Sequence, residues 1–421
     1  MTKERADERS VLMVLFEPGG FPPDIRVEKE ISALIGAGWS VQVLTFNTGS
    51  QPVREELCSG VTVVRIARPE WNALRRAVYF LFPRSPRLAK ELTRTVRQVG
   101  PAVLHVHDLT YAGIVARVAR RERIPFVLDL HENMPAAFVV YRKGWSPMKR
   151  AVSAIVHNRL LWKAFEQRIA KRAAAVLVVV DEACERFRRI RRVIEKTVVV
   201  GNTENLDTFP EGRSFNDPMP SGATTNTSSA RRENLRLLYL GGIMPHRGID
   251  TVLDGLSRMA GDENQPVTLR IVGLQDWQVE PMQRRVGSLR INDKVELVTW
   301  VPKDRVAEEI RNADLCLVPH IWAEHTNTTV PHKLYQYMML AKPVLVSSCL
   351  PLRRIVESHS AGLVFRADDP HDFAAAIEKA VSGSVDLREL GLNGREAALG
   401  ALSWNHDAKR LVHTYERIHL N

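Results

Sequence analysis

The hydrophobic and polar positions of this chain form two kinds of segment that alternate along its length. Short, uninterrupted apolar runs, such as VLMVLF at 11–16, predict strands that are buried on both faces. Between these runs, apolar residues recur at helical spacing, as at 31–35, where Asp24 can cap the helix and Gly36 can help to end it. Strands separated by helices predict a parallel sheet with right-handed crossovers.

This alternation occurs twice. The later strands predicted in the first half are WSVQVLTF, AVLHVHD, IPFVLDLHEN and AAVLVVV. Those of the second half are LRLLYLGG, VTLRIVG, KVELVTWV, ADLCLVPH, KPVLVSS and AGLVFR. Residues 211–234 are rich in Ser, Thr, Asn, Gly and Pro, which is typical of a flexible linker. We therefore predict two doubly wound α/β domains, 1–210 and 235–400, that face a central cleft, with ligands at the carboxyl ends of the strands.

Composition narrows the possible partners and location. No apolar run is long enough for a transmembrane helix. The charged first ten residues lack the apolar segment of a signal peptide, and the four cysteines form no CxxC pair, so we expect a cytoplasmic protein without structural zinc. The net charge of +11 favours an anionic membrane surface or anionic small molecules, or simply reflects a solvated basic surface. Nucleic acid is not expected, because the basic residues do not alternate with aromatic ones.

The stretch YLGGIMPHRGID at 239–250 is a candidate phosphate site. Gly241 and Gly242 follow a predicted strand, and Arg247 stands just before a predicted helix. Glycines let a ligand approach the backbone, a helix N-terminus attracts anions, and an arginine adds a cation. The same residues could also form a simple tight turn, and the rest of the chain has to decide between the two.

Residues 331–348, PHKLYQYMMLAKPVLVSS, resemble the nucleotide-sugar-binding signature of GT-B glycosyltransferases, specifically the retaining enzymes of family 4. Further segments resemble that family in the same order: GGFPPDIRVEKEISALIGAGWSVQVLTF, AVLHVHD, LDLHEN, VVVGNTENLDTF and YLGGIMPHRGID. Residues 401–421 resemble the C-terminal helix that crosses back to the first domain in that family. The resemblance covers nearly the whole chain and implies the GT-B fold, with two Rossmann-like domains.

The resemblance also implies roles for individual residues. Arg247 and Lys333 would hold the diphosphate of a nucleotide-sugar donor and stabilise it as it leaves, so we expect both to be catalytic. The other donor-binding candidates, some of them loop residues that could serve only as turns, are Gly241, Gly242, Trp300, Thr328, Thr329, Val330 and Gln336. No bound metal or cofactor is expected, because cations and helix N-termini do that work in the family.

Three positions depart from the family pattern. Gly242 stands where an arginine is common, and Thr328 stands where the first glutamate of a Glu-x7-Glu motif is expected. Gln336 replaces the glutamate that accepts hydrogen bonds from the ribose hydroxyls. Since a charge-assisted hydrogen bond contributes about 1.5–3 kcal/mol and a neutral one about 1 kcal/mol, we expect weaker or altered donor binding.

In the first domain, the resemblance places His131 beside the transferred sugar, so we expect it to be catalytic too, and it places Gly19 and Gly20 near the acceptor. His107 and Asp108 follow another strand and are further acceptor-side candidates, although His107 could equally be structural. Two basic segments, 71–99 and 148–172, combine arginine and lysine with apolar residues at helical spacing. They could pack on the first sheet, or they could bind a membrane interface.

The function predicted from all of this is a metal-independent, retaining glycosyltransferase. It would move a hexose-type sugar from an NDP-sugar to an acceptor hydroxyl, with lipid-linked or surface-polysaccharide precursors as the candidate acceptors. The alternatives are a GT-B epimerase acting on NDP-sugars and a catalytically weak scaffold that binds sugar nucleotides.

Overall fold

The structure is a computed structural model that describes residues 9–17, 19–49, 51–57, 60–216, 234–259 and 267–420. Contacts divide the chain into two compact units. The first unit is Met1–Gly201 together with Asn405–Asn421, and the second is Asn202–Trp404. Most of the predicted linker, 217–233, lies outside the described residues, and Pro210–Asn216 before it is a 3-10 helix.

The first unit contains an eight-stranded sheet. Its strands are β1 (Ser10–Leu15), β2 (Ser40–Asn47), β3 (Arg54–Leu57), β4 (Val61–Ala67), β5 (Val103–His107), β6 (Phe126–Leu130), β7 (Ala175–Val178) and β8 (Thr197–Val199). They follow the order β3-β4-β2-β1-β5-β6-β7-β8. All neighbours are parallel except β3 and β4, which form an antiparallel edge that the sequence pattern did not predict.

Helices connect these strands. They are α1 (Ile25–Gly36), α2 (Ala73–Leu81), α3 (Pro86–Val99), α4 (Ala112–Glu122), α5 (Met134–Tyr141), α6 (Pro147–Val156), α7 (Arg159–Arg172), α8 (Asp181–Cys184) and α9 (Arg191–Ile194). The predicted cap of α1 is present, since the Asp24 carboxylate accepts a hydrogen bond from the Val27 amide at 2.9 Å. The predicted helical segment 148–172 is two helices, because Asn158 starts a new helix by capping Leu160 and Leu161.

The second unit contains a six-stranded, wholly parallel sheet. Its strands are β9 (Leu235–Leu240), β10 (Val267–Leu274), β11 (Val295–Thr299), β12 (Leu315–Val318), β13 (Val344–Ser347) and β14 (Gly362–Phe365), in the order β11-β10-β9-β12-β13-β14. Its helices are α10 (Ile249–Arg258), α11 (Asp276–Ser288), α12 (Val306–Arg311), α13 (His332–Met339), α14 (Leu350–Ser358), α15 (Pro370–Val381) and α16 (Leu387–Leu399). The two parallel α/β sheets confirm the predicted fold class of two Rossmann-like domains.

The last helix, α17 (Trp404–Leu420), groups with the first unit from Asn405 onward. Its Tyr415 side chain is completely buried, and the Tyr415 hydroxyl lies 2.6 Å from Nδ1 of His105 on β5. The end of the chain therefore supplies part of the interior of the unit that began it. Among the described residues, every helix is too short or too polar to cross a lipid bilayer.

Candidate functional site

The glycine stretch of the second unit turns out to face a buried amine. Gly241 follows β9 with a φ of +113°, a conformation that favours glycine. A Cβ atom added to Gly241 would lie 3.5 Å from Nζ of Lys333, which belongs to the first turn of α13. The backbone after β9 and the Lys333 amine therefore share one small space.

Gly248 fixes the position of Arg247. A Cβ atom on Gly248 would stand only 1.8 Å from the Pro319 carbonyl oxygen, so the start of α10 can pack against the end of β12 only with glycine here. Arg247, the residue before it, donates from Nη1 to Nε2 of His320 at 3.0 Å. Burial, followed by the charge of Arg247, lowers the pKa of His320 well below its usual value. His320 is therefore a neutral acceptor that aims the guanidinium.

Lys333 is the most unusual member of this group. Its side chain is 8% exposed, and Nζ stands 3.8 Å from the centroid of the Tyr239 ring. Among the described residues, Nζ has no hydrogen-bond partner. Burial, and then the nearby charge of Arg247, lower the pKa of Lys333 well below its usual value. The structure thus brings Arg247 and Lys333 together; we call Gly241, Arg247 and Lys333 the cation site.

The remaining donor-binding candidates are distributed unevenly around the cation site. The Gly242 carbonyl accepts from the Tyr239 hydroxyl at 2.9 Å, and the Val330 carbonyl accepts from the Asn202 amide at 3.0 Å. The Thr328 hydroxyl lies 3.0 Å from the carbonyl oxygens of the two residues just before its 3-10 turn and donates to them, which is the turn role that the sequence left open. Thr329 is half-buried. Trp300 follows the edge strand β11 and is 71% exposed.

Gln336 lies beside a carboxylate that the sequence pattern did not single out. Its amide nitrogen is 3.5 Å from Oε1 of Glu204, and Nδ1 of His332 is 3.3 Å from the same oxygen. The other Glu204 oxygen accepts from the Thr208 hydroxyl at 2.8 Å. Glu204 itself is 1% exposed. The carboxyl group that is missing at position 336 is therefore supplied by Glu204, which lies beside Gln336 in the fold.

In the first unit, His131 follows β6 and is held by a buried ion network. Nε2 of His131 lies 2.7 Å from Asp129, whose carboxylate also accepts two hydrogen bonds from Arg26, at 2.9 and 3.0 Å. Burial lowers the pKa of His131, but Asp129 and Asp108 outweigh it and raise the pKa to about 10. Although burial raises the pKa of Asp129, Arg26 and His131 bring it well below its usual value. His131 is therefore a fixed cation at neutral pH; we call this group the histidine site.

The other two histidines of this region lie behind His131 in the interior. Nδ1 of His107 is 3.3 Å from Nε2 of His131, and the His107 side chain is buried. Burial, followed by His105, lowers the pKa of His107 to about 3. His105 is completely buried against Tyr415, as expected for a packing residue. The structure therefore gives His107 a contact with His131 rather than an exposed acceptor-side position.

Carboxyl groups with raised pKa values border the histidine site. Burial raises the pKa of Asp108 to about 6, and burial together with Asp108 raises the pKa of Glu17 to about 7. Asp108 lies 3.7 Å from Nδ1 of His131. Gly20 follows Glu17 with a φ of +73° and packs so closely on Thr48 that a Cβ atom would meet it at 2.9 Å, while Gly19 is exposed. Two acids that titrate near neutrality thus stand at the ends of β1 and β5.

Four buried side chains in and around the histidine site have the spacing of a metal site. The candidate ligand atoms of Glu30, His105, His107 and Asp129 lie within 4.8 Å of one another. However, the guanidinium of Arg26 already lies 3.0 Å from Glu30 and 2.9 Å from Asp129. The positive charge that these carboxylates require is supplied by the protein, so the donor set does not favour an ion here.

Two family models match the chain, and together they cover most of it. Residues 24–203 match the family described as "Glycosyl transferase 4-like domain", and residues 225–397 match "Glycosyl transferases group 1". A D-inositol 3-phosphate glycosyltransferase of Geodermatophilus obscurus is 25% identical over 74% of this chain, which spans 66% of that relative's length.

Solved structures resemble the chain along almost its entire length. A sucrose-phosphate synthase from Thermosynechococcus elongatus superposes with a TM-score of 0.75 at 17% identity, covering 98% of this chain and 99% of the other. The Anabaena protein Alr3699/HepE, solved in complex with UDP and glucose, superposes with a TM-score of 0.66 at 14% identity, covering 96% and 99%.

Proposed function

Because the chain is a glycosyltransferase of the GT-B type that resembles family 4, we propose that it transfers a hexose-type sugar from an NDP-sugar to an acceptor hydroxyl with retention of configuration. The observation that carries this proposal is the buried Lys333 amine. A buried amine without a hydrogen-bond partner destabilises the free protein. An anion that binds beside the amine would remove this cost. The space beside Gly241 and Arg247 suits a diphosphate.

Catalysis would follow from charge that develops on the donor. As the glycosidic bond breaks, negative charge grows on the departing diphosphate, and Arg247 with a protonated Lys333 stabilises it. A diphosphate oxygen held by these two cations can then take the proton of the attacking acceptor hydroxyl on the same face of the sugar. This step needs no protein base and no metal ion. His131, a fixed cation, would donate a hydrogen bond to the transferred sugar.

Two other features support the proposal. The Anabaena neighbour was solved with UDP and with UDP-glucose, which favours a nucleotide-sugar donor. The matching relatives and neighbours include glycosyltransferases, and they do not favour an epimerase or a scaffold. We place the enzyme on the cytoplasmic side of a membrane, acting on a lipid-linked or surface-polysaccharide precursor. The free cysteines Cys184, Cys316 and Cys349 suit that reducing compartment.

The proposal is tested by donor turnover. A thermal-shift screen of UDP-, GDP- and ADP-sugars selects the donor, and NDP release is then measured for the purified protein. We expect Arg247→Ala to lower the release rate by about 10²–10³-fold, the size typical of losing one charge stabiliser. Arg258→Ala, an exposed arginine at the end of α10, is the matched control and should leave the rate unchanged. If the wild-type protein bound the NDP-sugar tightly but released no NDP from it, the transferase proposal would be refuted.

A further inference from the structure

Half of the exposed large apolar side chains of the described residues lie in one stretch of the first unit. The structure exposes twenty such side chains, and ten of them fall between 74 and 161. These ten are Leu74, Val78, Phe82, Val139, Trp145, Met148, Val152, Ile155, Leu160 and Leu161. Several are more than 60% exposed, among them Met148, Ile155 and Phe82. Contiguous exposure of this kind indicates an interaction surface.

The elements that carry these residues pack against one another. Helices α2 and α6 are in contact, and the indole of Trp162 on α7 donates to the Phe80 carbonyl on α2 at 3.1 Å. The Phe80 ring also contacts Phe138 and His157, with centroids 5.9 and 4.4 Å apart. These aromatic side chains, buried or partly buried, thus join the helices from inside. The apolar residues on the outer faces of these helices are exposed and do not cover a core.

The two sequence segments that carry these side chains contain charges of a single sign. Residues 71–90 and 134–165 together contain eleven lysines and arginines and no aspartate or glutamate. Ten of these basic residues are exposed, namely Arg75, Arg76, Arg84, Arg87, Lys90, Lys143, Lys149, Arg150, Arg159 and Lys163. We call the outer faces of α2, α6 and the start of α7, with the loop before α6, the basic apolar surface.

We infer that the basic apolar surface binds an anionic phospholipid bilayer. Apolar side chains would enter the boundary between headgroups and acyl chains, while lysine and arginine side chains extend to the phosphates around them. A second copy of this chain fits poorly, because each copy would bring the same excess of positive charge. The inference goes beyond the proposed function, since it uses none of the residues of the cation site or the histidine site.

Vesicle flotation tests the inference. We expect the wild-type protein to float with vesicles of phosphatidylglycerol and phosphatidylcholine and to float far less with phosphatidylcholine alone. The double variant Phe82→Ser/Ile155→Ser should lower the partition coefficient at least tenfold, because two exposed side chains lose their apolar burial. The double variant Arg75→Gln/Arg150→Gln should lower it about 30-fold, from two lost charges near the anionic surface.

Matched control variants distinguish binding through this surface from non-specific adhesion of the protein to vesicles. Trp277→Ser/Leu392→Ser and Lys379→Gln/Arg388→Gln change exposed residues of the same types in the second unit and should alter partition less than twofold. Equal losses in control and surface variants would overturn the inference, as would absence of wild-type flotation at low salt. A dimer in sedimentation velocity that the surface variants dissociate, without vesicle binding, would overturn it in favour of self-association. NDP release by the surface variants in solution should match the wild type, so its failure would concern the transferase proposal alone.

Discussion

The histidine site and the cation site both contain buried basic side chains, yet the surroundings of these side chains are opposite in kind. In the first unit, Arg26 and His131 share the carboxylate of Asp129, with contacts of 2.7 to 3.0 Å. In the second unit, Lys333 is also buried, but its amine faces the loop of Gly241 and the positive charge of Arg247. The histidine site is complete within the protein, whereas the cation site is completed only by an anion.

This difference shows how buried ionisable groups that stabilise the fold can be distinguished from those that bind a ligand: the former have their partners within the protein. A completed network stabilises the fold and holds one group, here His131, in a fixed position and charge state. An uncompleted site reduces stability in the free protein and recovers it on binding. Removing a buried ionisable group should therefore have opposite consequences for stability in the two units, and three experiments follow, beginning with the largest effect.

The first experiment compares Asp129→Asn with Lys333→Met. We expect Asp129→Asn to lower the free energy of unfolding by about 3 kcal/mol, the low end for breaking a buried ion pair, because Glu30 can ionise near Arg26 and compensate in part. We expect Lys333→Met to leave stability unchanged or raise it by about 1 kcal/mol, while NDP release falls about 10²-fold or more. Urea unfolding and donor turnover measure the two quantities. A Lys333→Met protein that is less stable than Asp129→Asn would contradict the comparison.

The second experiment follows the proton on Lys333. Burial and Arg247 lower the pKa of Lys333 in the free protein, and a bound diphosphate should raise it again. At a pH between these two pKa values, binding therefore takes up as much as one proton. Calorimetry of NDP binding at pH 8, in two buffers with different ionisation enthalpies, measures this uptake, since the terminal phosphate with a pKa of roughly 6 is already ionised there. Uptake that is as large in Lys333→Met would assign the proton to another group.

The third and smallest effect concerns Gln336. Restoring the family residue with Gln336→Glu would place a second carboxylate about where the Gln336 amide meets Glu204, at 3.5 Å. Repulsion should then weaken NDP binding a few-fold rather than strengthen it. The exchange variant Glu204→Gln/Gln336→Glu should recover most of the lost affinity by returning one carboxylate to the pair. Tighter binding by Gln336→Glu alone would show that Glu204 does not replace the family glutamate.

Much of the fold could be predicted from the sequence because its elements are locally encoded. The apolar runs at 11–16 and in the second half became strands, and the Asp24 cap begins α1 as predicted. The antiparallel edge strand β3 was missed because its sequence, REEL, is polar and gains its hydrogen bonds only from β4. The break at Asn158 was missed because the apolar spacing continues across it.

Residues of the candidate sites could be predicted from the sequence only where each stands in a recognisable motif. Resemblance singled out Arg247 and Lys333, although it could not show that the amine lacks a partner. Asp129 and Arg26 were missed because they lie 103 positions apart and meet only in the folded unit. One signal was available, since Asp129 is a charge inside the otherwise apolar strand FVLDL. Glu17, Glu204 and His320 carried no such signal.

The contact between Tyr415 and His105 has a consequence for biosynthesis. A ribosome releases β5 early and α17 last, with every residue of the second unit emerging between them. The interior of the nascent first sheet therefore lacks the Tyr415 phenol until the whole second unit has been translated. Synthesis of the first unit thus begins before that of the second unit, but the first unit is completed after it.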